Sequence, residues 1–196
     1  VAAIFQGKYF DRLLTKFSTP DELFGPISLR ALEQDRFERV TTGKLPEAEF
    51  SFIDEIWKSG SAILNTLLTL MNERLFHNDG APILCPLITL IGASNELPEG
   101  RELEALFDRF LVRLDVQYLV QLSALREVLL APDPVSSGSL SMEELRQIQK
   151  EVEQVQVLDE TVDALLSIRE ACQSEGIIAS DRRWKKGLKL VRASAY

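Results

Sequence analysis

The sequence predicts an α/β domain built on a parallel sheet, followed by a smaller all-helical domain. Three observations carry this. Strand-length apolar runs at Phe50 to Asp54 and Leu87 to Ala93 end in polar side chains, with helix-patterned stretches between and after them. Beyond a Pro-, Ser- and Gly-containing stretch from Ala131 to Ser139, every periodic segment is helical. Finally, 196 residues with 45% hydrophobic content suffice for one good-sized core and a satellite domain.

Taken in order, Val1 to Phe5 reads as the end of a helix, released by Gln6-Gly7-Lys8. Tyr9 to Phe17, aromatic and aliphatic, reads as a strand. Ser18-Thr19-Pro20-Asp21 is a turn or helix entry, and Phe24-Gly25-Pro26 breaks the chain again. Ile27 to Leu32 and Arg36 to Thr41 flank the polar Glu33-Gln34-Asp35, which fits a hairpin or a helix with an inserted loop. Gly43 and Pro46 then punctuate before the Phe50 to Asp54 strand.

Between Ala62 and Leu75, residues Ile63, Leu64, Leu67, Leu68 and Met71 make the stripe of a helix facing the core. Asn78-Asp79-Gly80 is a hairpin turn between Leu75-Phe76-His77 and Ile83-Leu84. Leu87 to Ala93 is a strand, Leu103 to Phe107 a short helical turn, and Phe110 to Val116 a further strand. This alternation implies three layers. In the second domain Ser141 and Glu144 form a capping box for a helix over Met142 to Val155. Asp159 caps a helix to about Ser174, closed near Gly176, and Ser180 caps a last helix running on to Tyr196.

Composition narrows the function classes. A formal net charge of −8 argues against tight nonspecific binding of nucleic acid, which relies on neutralising phosphates. Six Lys or Arg against one Asp from Ser180 onward make one local basic exception. The two cysteines, Cys85 and Cys172, follow no metal-binding or redox spacing, which fits a reduced, cytoplasmic setting. No apolar run approaches the roughly 20 residues of a membrane span. His77 is the single histidine, so a His-based zinc site or a Ser-His-Asp triad cannot be built within these residues. Beside its turn, His77 reads as a surface residue.

The chemistry concentrates at strand ends. Asp54-Glu55 closes one strand and Asn95 follows another, and open α/β sheets bind ligands at the carboxyl ends of their strands. An Asp there can hold a metal ion against phosphates, a neighbouring Glu can act on an attacking water, and an Asn can orient that water. Further on, Arg109 stands beside Asp108 at a helix end, where a guanidinium can reach a neighbouring subunit's phosphate. Trp57 and Lys58, just past the acids, read as packing and loop residues.

Together these residues resemble the AAA+ ATPases of the MoxR family. Phe50 to Glu55 matches its Walker B motif, Asn95 its sensor 1 and Asp108-Arg109-Phe110 its arginine-finger motif. The wording is similar to the regulatory ATPase variant A (RavA) branch at Phe17 to Pro26, Leu45 to Glu49, Asp54 to Lys58, Ala93 to Pro98 and Ser180 to Lys186. The resemblance implies ATP and Mg²⁺ as cofactors. Asp54 would be the Mg²⁺ partner, through water, with Glu55 the catalytic acid and Arg109 the finger. Arg182 and Arg183 compete as the sensor 2 residue, Arg183 being favoured. The resemblance also implies a homo-oligomeric, hexameric ring, chaperone-like remodelling of partner proteins and a von Willebrand factor A domain partner. In this frame residues 1–130 are the core and residues 137–196 the helical lid, and Ser28 to Thr41 is a candidate pore-side insertion.

One motif is missing. No G-x-x-x-x-G-K-[ST] occurs, so the loop that cradles phosphates lies outside these residues, along with the first strand of a sheet whose implied order is 5-1-4-3-2. The expectation is a piece of a longer polypeptide that neither folds well nor binds ATP well alone, because two strand edges in the middle of the sheet would be unpaired. Two rivals remain at this stage: a nucleic-acid motor of a related helicase clade, and a non-hydrolysing structural module.

Overall fold

The computed structural model describes residues 2–132 and 138–196. Helix α1 (Ala2–Phe5) leads into strand β1 (Tyr9–Leu13), and α2 (Pro20–Phe24) and the one-turn α3 (Leu29–Leu32) follow. Next come a 3₁₀ turn at Leu45–Glu47, strand β2 (Phe50–Asp54), a second 3₁₀ turn at Ile56–Lys58 and helix α4 (Ser61–Glu73). A hairpin of β3 (Leu75–Asn78) and β4 (Ala81–Leu84), strand β5 (Thr89–Gly92) and α5 (Arg101–Phe107) complete the first half. Four helices then follow: α6 (Leu122–Leu130), α7 (Met142–Gln154), α8 (Asp159–Ser174) and α9 (Asp181–Ala195).

The sheet has the order β1-β2-β5 and both pairings are parallel. Its register runs from Tyr9 opposite Phe50 to Leu13 opposite Asp54, and from Phe50 opposite Thr89 to Ile53 opposite Gly92. As the central strand, β2 is covered on both faces, which explains its nearly unbroken apolar run. The core gathers Leu14, Leu23, Phe24 and Ile53 with the α4 stripe of Ile63, Leu64, Leu67 and Leu70. Leu68 and Met71 pack at its margin. Every core residue precedes Phe107; among the described residues α6 to α9 bury no side chain fully.

Local chemistry explains the boundaries. Gly25 ends α2 at φ 98°, ψ 152°, a conformation nearly confined to glycine. The segment from Ile27 to Thr41 combines both expected forms: one helical turn at α3, and an antiparallel bridge between Ile27 and Arg39. Asn78, itself buried, fastens that segment by accepting from the Arg39 N–H at 2.7 Å and donating to the Arg39 carbonyl at 3.1 Å. In the hairpin turn Asp79 and Gly80 both have positive φ, 52° and 74°, as primed turns require.

Helix α7 and the residues leading into it dock near the amino end of β2. Arg146 on α7 pairs with Glu49 at 3.2 Å, and the Leu140 N–H donates to the Ile4 carbonyl at 2.9 Å. The capping box of Ser141 and Glu144, the Ser180 cap and the positive φ of Gly176 all stand where expected.

Four expectations are corrected. β1 stops at Leu13, because the Thr15 and Ser18 hydroxyls take over backbone N–H groups and turn the chain. Residues 110–116 form no strand: no described residue pairs with them or with the outer edge of β5, and an unpaired extended segment is not a ladder. Val112, Leu114 and Val116 accordingly stand 68%, 85% and 82% exposed. Helix α6 was not anticipated. Asp159 is the first helical residue, while Leu158 holds the capping position without a side-chain cap. The centre of the expected hinge, with the Ser137 start of the lid, lies outside the described residues.

Candidate functional site

At the carboxyl end of β2 the chain leaves the sheet through an unusual residue. Glu55 is left-handed at φ 52°, ψ 41°, which costs a side-chain-bearing residue roughly 1–2 kcal/mol. Several bonds hold it there. Asp54 Oδ1 accepts from the Glu55 N–H at 2.9 Å, the Lys58 N–H donates to the Glu55 carbonyl at 2.9 Å, and the Ile56 N–H donates to the Ala93 carbonyl at 3.1 Å. The last bond ties the exit of β2 to that of β5. Strain retained at the tip of a strand invites a functional explanation.

The register makes the meeting possible. Ile53 lies opposite Gly92, so Glu55 and Asn95 project beyond adjacent strand ends. Glu55 Oε1 accepts from Asn95 Nδ2 at 3.1 Å. Its Oε2 accepts from Ser94 Oγ at 3.4 Å and faces Lys58 Nζ at 3.3 Å. Beneath them, a Cβ on Gly92 would come within 3.1 Å of Phe110 and 3.2 Å of Ile56. Trp57 presents edge-on geometry to both Phe107 and Phe110, at 5.7 and 5.9 Å between centroids. These contacts pack the turn carrying Glu55 against the end of α5.

A cationic cluster gathers around Asp108. Arg109 donates to the Ala105 carbonyl, and Arg113 lies 3.5 Å over the Phe107 ring while donating to the Phe107 carbonyl at 2.9 Å. From α9, Ser180 Oγ donates to Asp108 Oδ2 at 2.7 Å, and Arg183 reaches the Leu111 carbonyl at 3.4 Å. Arg182 is exposed. Burial first, then neighbouring Arg182, lowers the Arg109 pKa; burial first, then Arg183, lowers that of Arg113. Lys186 is lowered likewise by burial, then by Arg74, Arg109 and Arg182. One carboxylate cannot balance so many cations, and the surplus charge suits an anion.

The predicted residues therefore form two groups. Asp54, Glu55 and Asn95 come together at one sheet edge; Arg109, Arg182 and Arg183 assemble where α5 meets α9. Among the described residues no hydrogen bond or ion pair joins the groups. Sequence reasoning passed over Ser94 and Lys58 as partners of Glu55. The signal was present for Lys58, since an acid and a base three residues apart meet on a 3₁₀ turn. His77 is exposed as expected.

Among the described residues no cluster of three or more His, Cys, Asp or Glu side chains suits a metal ion. The oxygen donors of Asp54 do fit Mg²⁺, which takes one or two carboxylates, keeps several waters and completes its shell with substrate phosphates. No described helix is long and apolar enough to cross a membrane.

Comparison with known proteins shows the family. Residues 1–161 match the family described as the MoxR domain in the MoxR-vWA-beta-propeller ternary systems, and residues 160–196 match the AAA lid domain. Two uncharacterized proteins of Methanocaldococcus jannaschii are 42% and 41% identical over 198 residues, covering all of this chain and 53% and 52% of their own. The chain thus spans about half the length of these relatives. A structural protein of Acidianus two-tailed virus is 32% identical over 112 residues, 55% of this chain and 18% of that one. The crystal structure of a protein assigned as an ATPase, from Cytophaga hutchinsonii, matches with a TM-score of 0.64 at 20% identity, covering 90% of this chain and 56% of that one. At that identity the likeness concerns the fold. Since the MoxR model spans residues 1–161 and the lid model the remainder, the chain belongs to the MoxR-domain family and is a MoxR-type AAA+ protein with a AAA lid.

Proposed function

We propose that this chain is the catalytic and lid portion of an ATP-hydrolysing, Mg²⁺-dependent motor of the RavA-like branch. The reading carries a ring, hexameric by family analogy, in a cytoplasmic setting. It also carries chaperone-like work on partner proteins, with a von Willebrand factor A domain protein as the associated partner. The family's description as part of MoxR-vWA ternary systems supports that partner. No Walker A pattern occurs within these residues, so on this reading the phosphate-cradling loop would have to be supplied from outside them.

The observation that carries the reading is the 3.1 Å hydrogen bond from Asn95 to Glu55 across neighbouring parallel strand ends. An acid and an amide so placed share one polar position, where a water can be held against a phosphate. Asp54, whose Oδ1 accepts from the Glu55 N–H, would hold Mg²⁺ through water. When bound, that ion neutralises charge on the phosphate oxygens. Glu55 accepts the proton of the attacking water, and Asn95 orients that water. Arg109 serves the nucleotide of an adjacent subunit, with Arg183 or Arg182 as the lid's contribution. The clustering of these arginines about Asp108 supports a joint role toward one anion.

The test uses the full-length protein. Glu55→Gln keeps the shape of the side chain and removes its basicity, so ATP binding stays nearly intact while turnover disappears. Hydrolysis at the wild-type rate would remove Glu55 from the role.

A further inference from the structure

The Glu55 carboxylate is held almost entirely by its own chain. A carboxylate offers about four lone-pair positions. Two are engaged, by Asn95 at 3.1 Å and by Ser94 at 3.4 Å, and the Lys58 ammonium stands 3.3 Å from Oε2 as an ion-pair partner. Its side chain is 14% exposed, so little of the remaining rim faces solvent. A base must accept a hydrogen bond from the water it activates, and a carboxylate committed to an ammonium group has less to offer that water.

We propose that Lys58 is a positioning residue that latches Glu55 in a resting posture, withholding the base until Asn95 turns toward a phosphate. The inference rests on the ATPase reading above and extends it to regulation of the same site. Glu55 caps and Lys58 ends a single 3₁₀ turn, in which side chains three apart eclipse, so the ion pair forms without help from another subunit. The intervening Trp57 is fixed against Phe107 and Phe110, which sets the orientation of the turn. Lys58 remains 32% exposed, and ion pairs of that kind shift equilibria by only about two- to five-fold. Such a latch is weak enough for an arriving triphosphate to open.

The experiment is steady-state ATP hydrolysis by the full-length protein without added partners. Lys58→Met keeps the aliphatic stem and removes the charge; kcat should rise about two- to five-fold while KM for ATP stays constant. Lys58→Arg, which restores the cation, should return kcat to the wild-type value. If Lys58→Met lacks a cooperative melting transition, Lys58→Gln carries the same test. A kcat that is unchanged or lower in a well-folded neutral variant overturns the latch, because a merely structural lysine would not restrain turnover. If the wild type does not hydrolyse ATP, or Glu55→Gln still does, the ATPase reading falls and the latch with it. If Glu55→Gln is dead and the neutral Lys58 variants match wild type, the latch alone falls.

Discussion

Replacing Gly25 by Ala adds one methyl group where neither the backbone nor the surroundings admit it. At φ 98°, ψ 152° a residue with a Cβ sits in a region that costs about 1–3 kcal/mol. The added Cβ would stand 1.9 Å from the Val40 carbonyl oxygen and 2.7 Å from its carbon. Both are backbone atoms, so no side-chain rotation relieves the clash. Relief requires separating residues 25–26 from residues 39–40, which breaks two bonds: Val40 N–H to the Pro26 carbonyl at 2.8 Å, and Arg39 Nη1 to the Gly25 carbonyl at 2.7 Å. At about 0.5–1.5 kcal/mol each, these bring the expected loss to roughly 2–6 kcal/mol. That is a large share of the stability of an ordinary domain. Urea unfolding of the full-length protein measures it, and hydrogen exchange should show faster exchange in residues 26–41. A loss below about 1 kcal/mol with unchanged exchange there would refute the reasoning.

Two further outcomes can be checked. Subunits carrying Arg109→Ala, mixed in equal amounts with Glu55→Gln subunits, should recover activity that neither has alone, at roughly a quarter of the interfaces, because the finger acts on the neighbouring chain's nucleotide; no recovery would place both residues at one chain's own site. Cys85 is buried, and burial pushes its thiol up to about 11 despite the opposing pull of Arg74. At pH 8 only about one part in a thousand is thiolate, so a maleimide should label Cys172 and leave Cys85 untouched until denaturant is added, as read by peptide mass spectrometry. Since the folded-state value is the raised one, the stability that the neutral thiol contributes is complete below the unfolded thiol's range near pH 8.5 and is lost as pH rises through about 11.

Much of the architecture was legible because its causes are local. The stripe of α4 repeats at helical spacing, the Asn78-Asp79-Gly80 turn needs residues that accept positive φ, and Ser141 with Glu144 can satisfy each other's backbone without help from elsewhere. The site was partly legible for the same reason: a strand ending in two acids and another followed by Ser-Asn are patterns of adjacent residues. Some errors were local, such as the end of β1, but the larger ones arose where the decision is made at a distance. Residues 110–116 have the composition of a strand, yet a strand exists only with a partner, and no described residue supplies one. Lys58 looked like a loop residue because the positive φ of Glu55, which aims the two side chains at each other, depends on the bond from Ile56 to Ala93, 37 positions along the chain.

By itself the sequence determined most of the helical and extended segments, and which side chains could meet a phosphate or a water, since propensity, capping and polarity act among near neighbours. Only the tertiary structure decided that Glu55 and Asn95 touch, that Lys58 joins them, and that the arginines just past α5 and on α9 gather near Asp108. Parallel register and helix docking settle those meetings, and both depend on chain closures tens of residues long, whose outcome no local pattern encodes.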